Sequence, residues 1–113
     1  MPDSQISLLP DRTLIKADGY DLSFVTVRVE DENGILCPLA DDLIKFKING
    51  PAEIAAVGNG NAATTDPFIA DYRKAFSGMC LLVVKSKKGE SGQISIKAES
   101  EDLQMAHLKL HSR

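Results

Sequence analysis

The sequence predicts an all-β protein, an immunoglobulin-like antiparallel β-sandwich of about seven strands. Short runs in which apolar and polar residues alternate recur along the whole chain, as in half-buried strands. Turn sequences separate these runs at regular intervals, and no segment of useful length has a helical period. With 113 residues, the chain is long enough for one core of two packed layers. We therefore expect a single domain over residues 1–113, ordered from about residue 6 to 111.

The first strand segment contains a proline. Residues 6–9 and 13–16 are both β-like, and Pro10 lies between them. Because proline has no N–H to donate, it is tolerated only at sheet edges and bulges, so we expect an edge strand. After a turn at 17–21, residues 22–30 form the clearest strand, with Val25, Val27 and Val29 on one face. Asn33-Gly34 then indicates a tight turn.

Further strands follow the same alternation at 44–48, 54–57, 79–84, 94–98 and 106–110. The strand at 79–84 differs from the others because both of its faces are apolar. If Cys80, Leu82 and Val84 face the core, then Leu81 and Val83 lie on a face that should be polar. Contiguous exposed apolar surface usually marks a contact, so Leu81 and Val83 form a candidate apolar contact face.

The connection at 58–78 is the one segment that a two-layer sandwich leaves unexplained. It is longer than most loops of compact domains, and it holds three of the six aromatic residues of the chain. Its side chains could pack on the sandwich, contact a neighbouring domain or stack against a sugar, and we favour docking. The candidate docking or sugar-contact residues are Asn59, Phe68, Tyr72, Arg73 and Phe76.

Composition and charge narrow the classes of partner. The net charge of −3 gives no footprint for nucleic acid or an anionic membrane, which both require clustered Lys and Arg. The longest apolar run, at 79–84, is too short to span a membrane. The first residues have neither a basic nor an apolar leader region, so this sequence contains no signal peptide. We expect no cofactor.

No catalytic or metal site is expected. A Ser or Cys nucleophile needs a nearby base, and the two histidines, His107 and His111, fall on the polar face of the last strand. On a strand they are about 13 Å apart, too far for one metal ion. The acidic residues fall in turns, where carboxylates mostly bind local backbone. Cys37 and Cys80 lack a CxxC pattern, and a buried free thiol is favoured over a disulfide between them.

Several segments together carry a family resemblance. They are Ala17-Asp18-Gly19, Asp21-Leu22-Ser23-Phe24-Val25-Thr26-Val27, Asp31-x-Asn33-Gly34, Phe46, Gly50-Pro51, Gly58-Asn59-Gly60, Asp66-Pro67-Phe68 and Arg73-Lys74-Ala75-Phe76-x-Gly78. In this combination the chain resembles the C-terminal immunoglobulin-like domain of bacterial family 2 glycoside hydrolases, the β-galactosidase-like enzymes. The resemblance extends from about residue 9 to 110. The Asp-x-Asn-Gly turn alone also occurs in adhesin-type repeats.

The resemblance implies a non-catalytic accessory domain in the C-terminal part of a larger glycosidase. Such a domain would support the catalytic barrel or a subunit contact, and the catalytic residues of that family lie in the barrel, so none is transferred. The implied partners are other domains of the same polypeptide and a second subunit, with carbohydrate met through the parent enzyme. The implied location is periplasmic or extracellular. The alternatives are a carbohydrate-binding module that uses the 58–78 connection and an adhesin-type stalk repeat.

Overall fold

A computed structural model describes residues 4–59, 69–101 and 103–113, which form two packed β-sheets. The nine strands are β1 (Gln5–Pro10), β2 (Leu14–Ile15), β3 (Leu22–Glu30), β4 (Leu43–Asn49), β5 (Ala52–Gly58), β6 (Tyr72–Lys74), β7 (Met79–Ser86), β8 (Gly92–Glu99) and β9 (Ala106–Ser112). The all-β sandwich is confirmed. It has two more strands than expected, because the predicted edge strand is divided into β1 and β2 and because β6 is too short to show a period. Nowhere in the described ranges is there a helix that could cross a membrane.

The strands divide into a four-stranded and a five-stranded sheet. The four-stranded sheet has the order β1-β3-β7-β5, and the five-stranded sheet has the order β2-β9-β8-β4-β6. Neighbouring strands are antiparallel, except that β2 runs parallel to β9. This parallel pair departs from the purely antiparallel sandwich that was predicted.

Pro10 marks the place where the chain leaves one sheet for the other. It ends β1 opposite Val25 at the edge of the four-stranded sheet, and β2 then joins β9 in the five-stranded sheet. The crossing is secured by the hydroxyl of Ser23, which donates to the Arg12 carbonyl at 2.7 Å. The Asp11 carboxylate also accepts the N–H of Phe24 at 2.8 Å. The predicted edge strand with a proline break is therefore two edge strands in two sheets.

The core lies between the sheets and is built by the alternation that the sequence showed. Val25, Val27 and Val29 are fully buried, and the inward faces of the other strands meet them. Burying one such aliphatic side chain contributes about 1.5–3 kcal/mol. Leu82 and Val84 extend this surface within the same sheet, and the opposing sheet contributes Ile44, Phe46, Ile94, Ile96, Ala98 and Leu110.

Both cysteines are buried free thiols, as predicted. Burial raises the pKa of the Cys80 thiol to about 12, and the positive charge of Arg73 opposes this rise without cancelling it. Cys80 thus behaves as a small apolar core residue.

The 58–78 connection is not one long loop. Residues 60–68 lie outside the described part, but Tyr72–Lys74 forms β6, which pairs with β4. A tight turn follows, in which Phe76 and Met79 exchange two backbone hydrogen bonds of 2.8 and 3.1 Å. Its central residues, Ser77 and Gly78, have φ values of 53° and 82°, as a type I′ hairpin turn requires. Strand β6 and this turn therefore fix residues 72–79 to the sandwich.

Candidate functional site

Strand β6 separates two of the residues that were predicted to act together. Arg73 is paired with Ile44, and Tyr72 is paired with Lys45. Successive side chains of a strand point to opposite faces. Arg73 therefore faces the core, whereas Tyr72 lies half-buried on the outer face of the five-stranded sheet.

The prediction that Arg73 contacts a partner or a sugar is wrong. Only 2% of this side chain is exposed, and it is the largest of the fully buried residues. Its Nη2 lies 3.5 Å from the Val57 carbonyl oxygen, at the end of β5. The sequence pattern did not reveal this role because a three-residue strand inside an apparent loop has no recognisable period.

The other predicted members of the 58–78 site do not form one surface. The side-chain amide of Asn59 donates to the Lys74 carbonyl at 2.7 Å, which ties the end of β5 to β6. Phe76 is 44% exposed and lies at the β6–β7 turn. Phe68 falls in the range outside the described residues. Within the described residues, the structure thus gives Asn59 a structural bond and turns Arg73 into the core, away from the exposed Phe76.

The two residues of the predicted apolar contact face have different environments. Both lie on the outer side of β7, where Leu81 is 37% exposed. Val83 is only 8% exposed, because it lies in a central strand between Phe24 of β3 and Ala56 of β5. The prediction is therefore wrong for Val83 as an exposed contact, and Leu81 remains available.

A larger apolar face surrounds Leu81. We call the outer surface formed by Leu9, Phe24, Met79 and Leu81 the apolar face; these side chains are between 37% and 48% exposed. The strand register makes them contiguous, since Leu9 and Leu81 both pair with Thr26, and Phe24 lies next along β3 on the same side. An open cavity of about 340 Å³ adjoins it, lined by Thr26, Gly58, Asn59, Met79, Cys80 and Leu81.

Sequence reasoning missed Leu9 and Phe24. A signal was present for Phe24, because the alternation that puts Val25 and Val27 inward puts Phe24 on the outer face. A single ring on an otherwise polar face is common, since much of any protein surface is apolar. Only the pairing of β3 with β7 shows that Phe24 and Leu81 belong to one surface.

The acidic turn residues have local structural roles, as predicted. The Asp18 carboxylate accepts the N–H groups of Tyr20 and Asp21 at 2.8 and 2.9 Å, which holds its pKa below the usual value. The guanidinium of Arg12 pairs with Asp21, and this contact is the main cause of the lowered pKa of Asp21. In the part of the chain that the structure covers, no group of three His, Cys, Asp or Glu residues is arranged to hold a metal ion.

Comparison with known proteins gives the family. The family model described as glycoside hydrolase family 2 C-terminal domain 5 matches residues 6–109. A relative, the beta-galactosidase BoGH2A of Bacteroides ovatus, is 47% identical over 107 residues. That match covers 95% of this chain and 12% of the relative.

Solved structures agree with this assignment. A glycosyl hydrolase family 2 member from Bacteroides cellulosilyticus superposes with a TM-score of 0.96 and 40% identity, over 100% of this chain and 14% of that one. The D00-D0 domain of intimin also superposes, with a TM-score of 0.69 over 100% of this chain and 50% of that one. Its identity is 19%, so this likeness shows the fold alone. The chain belongs to the family of glycoside hydrolase family 2 C-terminal domains, type 5.

Proposed function

We propose that this chain is an accessory domain of a β-galactosidase-type glycoside hydrolase and that it docks on another domain of the same polypeptide. The observation that supports this function most directly is the apolar face on the four-stranded sheet. The chain spans 12% of the length of BoGH2A and 14% of the solved family 2 member. Proteins of this family thus contain much other polypeptide that could cover the face.

The chemistry of the apolar face suits a polypeptide partner. Its four large side chains are aliphatic, aromatic or thioether groups, and contiguous patches of this kind mark protein contacts. Charged groups border it, including the Lys85–Glu53 pair, whose atoms are 3.9 Å apart. An apolar centre with a polar rim is the usual anatomy of an interface between proteins.

The sugar platform predicted on the 58–78 connection is not what we propose. It required Tyr72, Arg73 and Phe76 to share a surface, and Arg73 is buried in the core. Tyr72, on the outer face of the five-stranded sheet, and Phe76, four residues further on in the turn before β7, are left without the arginine between them. The three therefore offer no common stacking surface.

The test of docking is a pair of substitutions on the apolar face of the full-length enzyme. Phe24→Ser with Leu81→Ser should lower the unfolding temperature of the enzyme and its activity after heating, because the contact loses two apolar side chains. In the isolated chain the same pair should cost less stability than in the full-length enzyme, since both residues are already about 40% exposed there.

The matched control is Leu14→Ser with Ile35→Ser, two exposed apolar residues outside the apolar face. This pair should leave the unfolding temperature of the full-length enzyme near that of the wild type. Equal effects of the two pairs on the full-length enzyme would rule out the apolar face as the docking surface.

A further inference from the structure

The outer face of the five-stranded sheet is strongly cationic. Alternation along four of its strands places every second residue outward, and five of these residues are lysines. We call this surface the lysine face. Its charged and ring-bearing members are Lys45, Lys47, Tyr72, Lys74, Lys97, Glu99, His107, Lys109 and His111.

The register brings these basic groups side by side. Lys47 of β4 lies directly opposite Lys97 of β8, and Lys97 lies opposite His107 of β9. Directly opposite residues have Cβ atoms about 4.5–5.5 Å apart, so the two ammonium groups of Lys47 and Lys97 form a like-charge pair, which destabilises a sheet. Lys109 follows two residues beyond His107 on the same side of β9. The arrangement concentrates positive charge at a cost to the fold.

In the described part of the chain, acidic groups offset this surface only at one end, where Glu99 is paired with Lys45 and lines a cavity with Asp42 and Glu101. Glu99 is the one acid among the outward-facing residues of the described strands in this sheet, and it lies 3.7 Å from the Lys97 ammonium. The face therefore holds five of the 13 basic residues of the chain and one of its 16 acidic residues. Although the net charge of the chain is −3, the charge is unevenly distributed: the lysine face is positive and the rest of the chain is acidic. Such a separation attracts anionic partners.

Tyr72 adds a ring at one edge of the lysine face. It lies half-buried beside Lys45, on the edge strand β6. Since Tyr72 is half-buried and paired with the exposed Lys45, it can offer both apolar surface and a hydroxyl to a bound molecule. A ring beside a row of ammonium groups suits a ligand with ring faces and regularly spaced anions.

We propose that the lysine face binds an anionic polysaccharide, with its acidic groups on the lysines and a sugar ring against Tyr72. The proposal rests on the proposed function, because it requires that the domain docks through the four-stranded sheet. Docking through the four-stranded sheet leaves the five-stranded sheet on the opposite side of the sandwich, open to solvent. The domain would then hold an acidic glycan near its parent hydrolase.

Nucleic acid fits the lysine face less well. Surfaces that bind single strands combine several stacking rings with arginine, and this face has one tyrosine and no arginine among its described outward residues. Lysine supplies isolated point charges instead of the bidentate fork that arginine offers to phosphate. Lysine ammonium groups bind carboxylate, sulfate and phosphate alike, so the shortage of stacking rings is what disfavours nucleic acid on this face.

The experiment is a titration of the chain at low and moderate salt with four polymers: polygalacturonate, heparin, neutral galactan and poly-glutamate. Calorimetry should detect binding to polygalacturonate or heparin, and whichever binds identifies the acidic group. Neutral galactan should not bind. Binding should weaken as salt rises, because exposed charges are screened.

Variants locate the site. Lys47→Gln with Lys97→Gln should weaken glycan binding at least tenfold, and Tyr72→Ala should weaken it severalfold. The matched control, Lys87→Gln with Lys88→Gln, removes two exposed lysines from the turn before β8 and should leave binding unchanged. The Phe24→Ser and Leu81→Ser pair should also leave it unchanged, so failure of docking and failure of glycan binding are distinguishable.

Other results would overturn the proposal. Poly-glutamate binding as tightly as the glycan would show unspecific attraction of polyanions, and equal losses from both lysine pairs would show the same. Absence of binding to either acidic glycan at low salt would also remove it. Sedimentation that shows self-association abolished by the Lys47 and Lys97 substitutions would instead make a second copy of the chain the occupant.

Discussion

At the scale of single residues, burial decides the role of a side chain whatever its chemistry suggests. Tyr72 and Arg73 are adjacent, yet one lies on the outside of a sheet and the other is 2% exposed. Arginine is almost never fully buried without a partner, so the sequence favoured a surface role for Arg73. The half-buried Tyr72 and the exposed Phe76 remain predicted contact residues.

Cys80 allows a prediction at this scale. Its folded-state pKa is raised to about 12, above the value of about 8.5 for an unfolded thiol. The neutral thiol therefore stabilises the fold fully below about pH 8.5, and this contribution is lost as the pH rises toward 12. We expect the free energy of unfolding, measured with denaturant in the presence of reductant, to fall more between pH 7.5 and pH 10 for the wild type than for Cys80→Ala. The same pH dependence of the unfolding free energy in the two proteins would contradict the raised pKa of the Cys80 thiol.

At the scale of elements, the turn between β6 and β7 depends on particular residues as much as the strands do. Gly78 has a φ of 82°, and a Cβ built on it would lie 2.3 Å from the Cys37 carbonyl oxygen. Its N–H also donates to the Ala40 carbonyl at 3.1 Å. The turn is thus packed against the chain segment that leads from β3 to β4.

This packing predicts a large effect of Gly78→Ala. The variant should lose about 3 kcal/mol or more of unfolding free energy, because positive φ and a close backbone contact both oppose the methyl group. The control is Gly34→Ala, which has a similar φ of 80° but no atom within 4 Å of the added Cβ. It should cost about 1 kcal/mol. Equal losses in urea unfolding would mean that the contact with Cys37 contributes nothing.

The strands themselves were largely predictable from the sequence. Alternation over seven or more residues placed β3, β4, β8 and β9 and their inward faces correctly, because a period of two needs several residues to be visible. Strand β6 has three residues and was not predictable in this way, whereas the two residues of β2 were predicted as β-like but as part of the first strand. The same limit made the connection at 58–78 look like one loop.

At the scale of the whole molecule, the two sheets present outer faces of opposite character. The apolar face belongs to the four-stranded sheet and the lysine face to the five-stranded sheet. A sandwich of 44 × 30 × 20 Å separates them, so both can be occupied at once. An accessory domain with this arrangement could link a parent enzyme on one side to a charged ligand on the other.

The whole chain should have no hydrolase activity of its own. His107 and His111 are exposed on the outer side of β9, and the acids of the 17–21 turn are held by backbone and Arg12. The purified chain should therefore release no product from an aryl β-galactoside, with intact BoGH2A as the positive control. Hydrolysis that disappears when one carboxylate of the chain is substituted would refute this expectation.

The sequence by itself determined the fold class, the longer strands, the buried thiols and the family resemblance. These follow from local patterns of burial and turn chemistry, which neighbouring residues reveal. The tertiary structure alone decided that Arg73 is buried, that Val83 is covered, that Phe24 joins Leu81 and that five lysines share one sheet face. Each of these depends on which strands pair and in what register, and residues 20 to 60 positions apart meet only when both sheets are assembled.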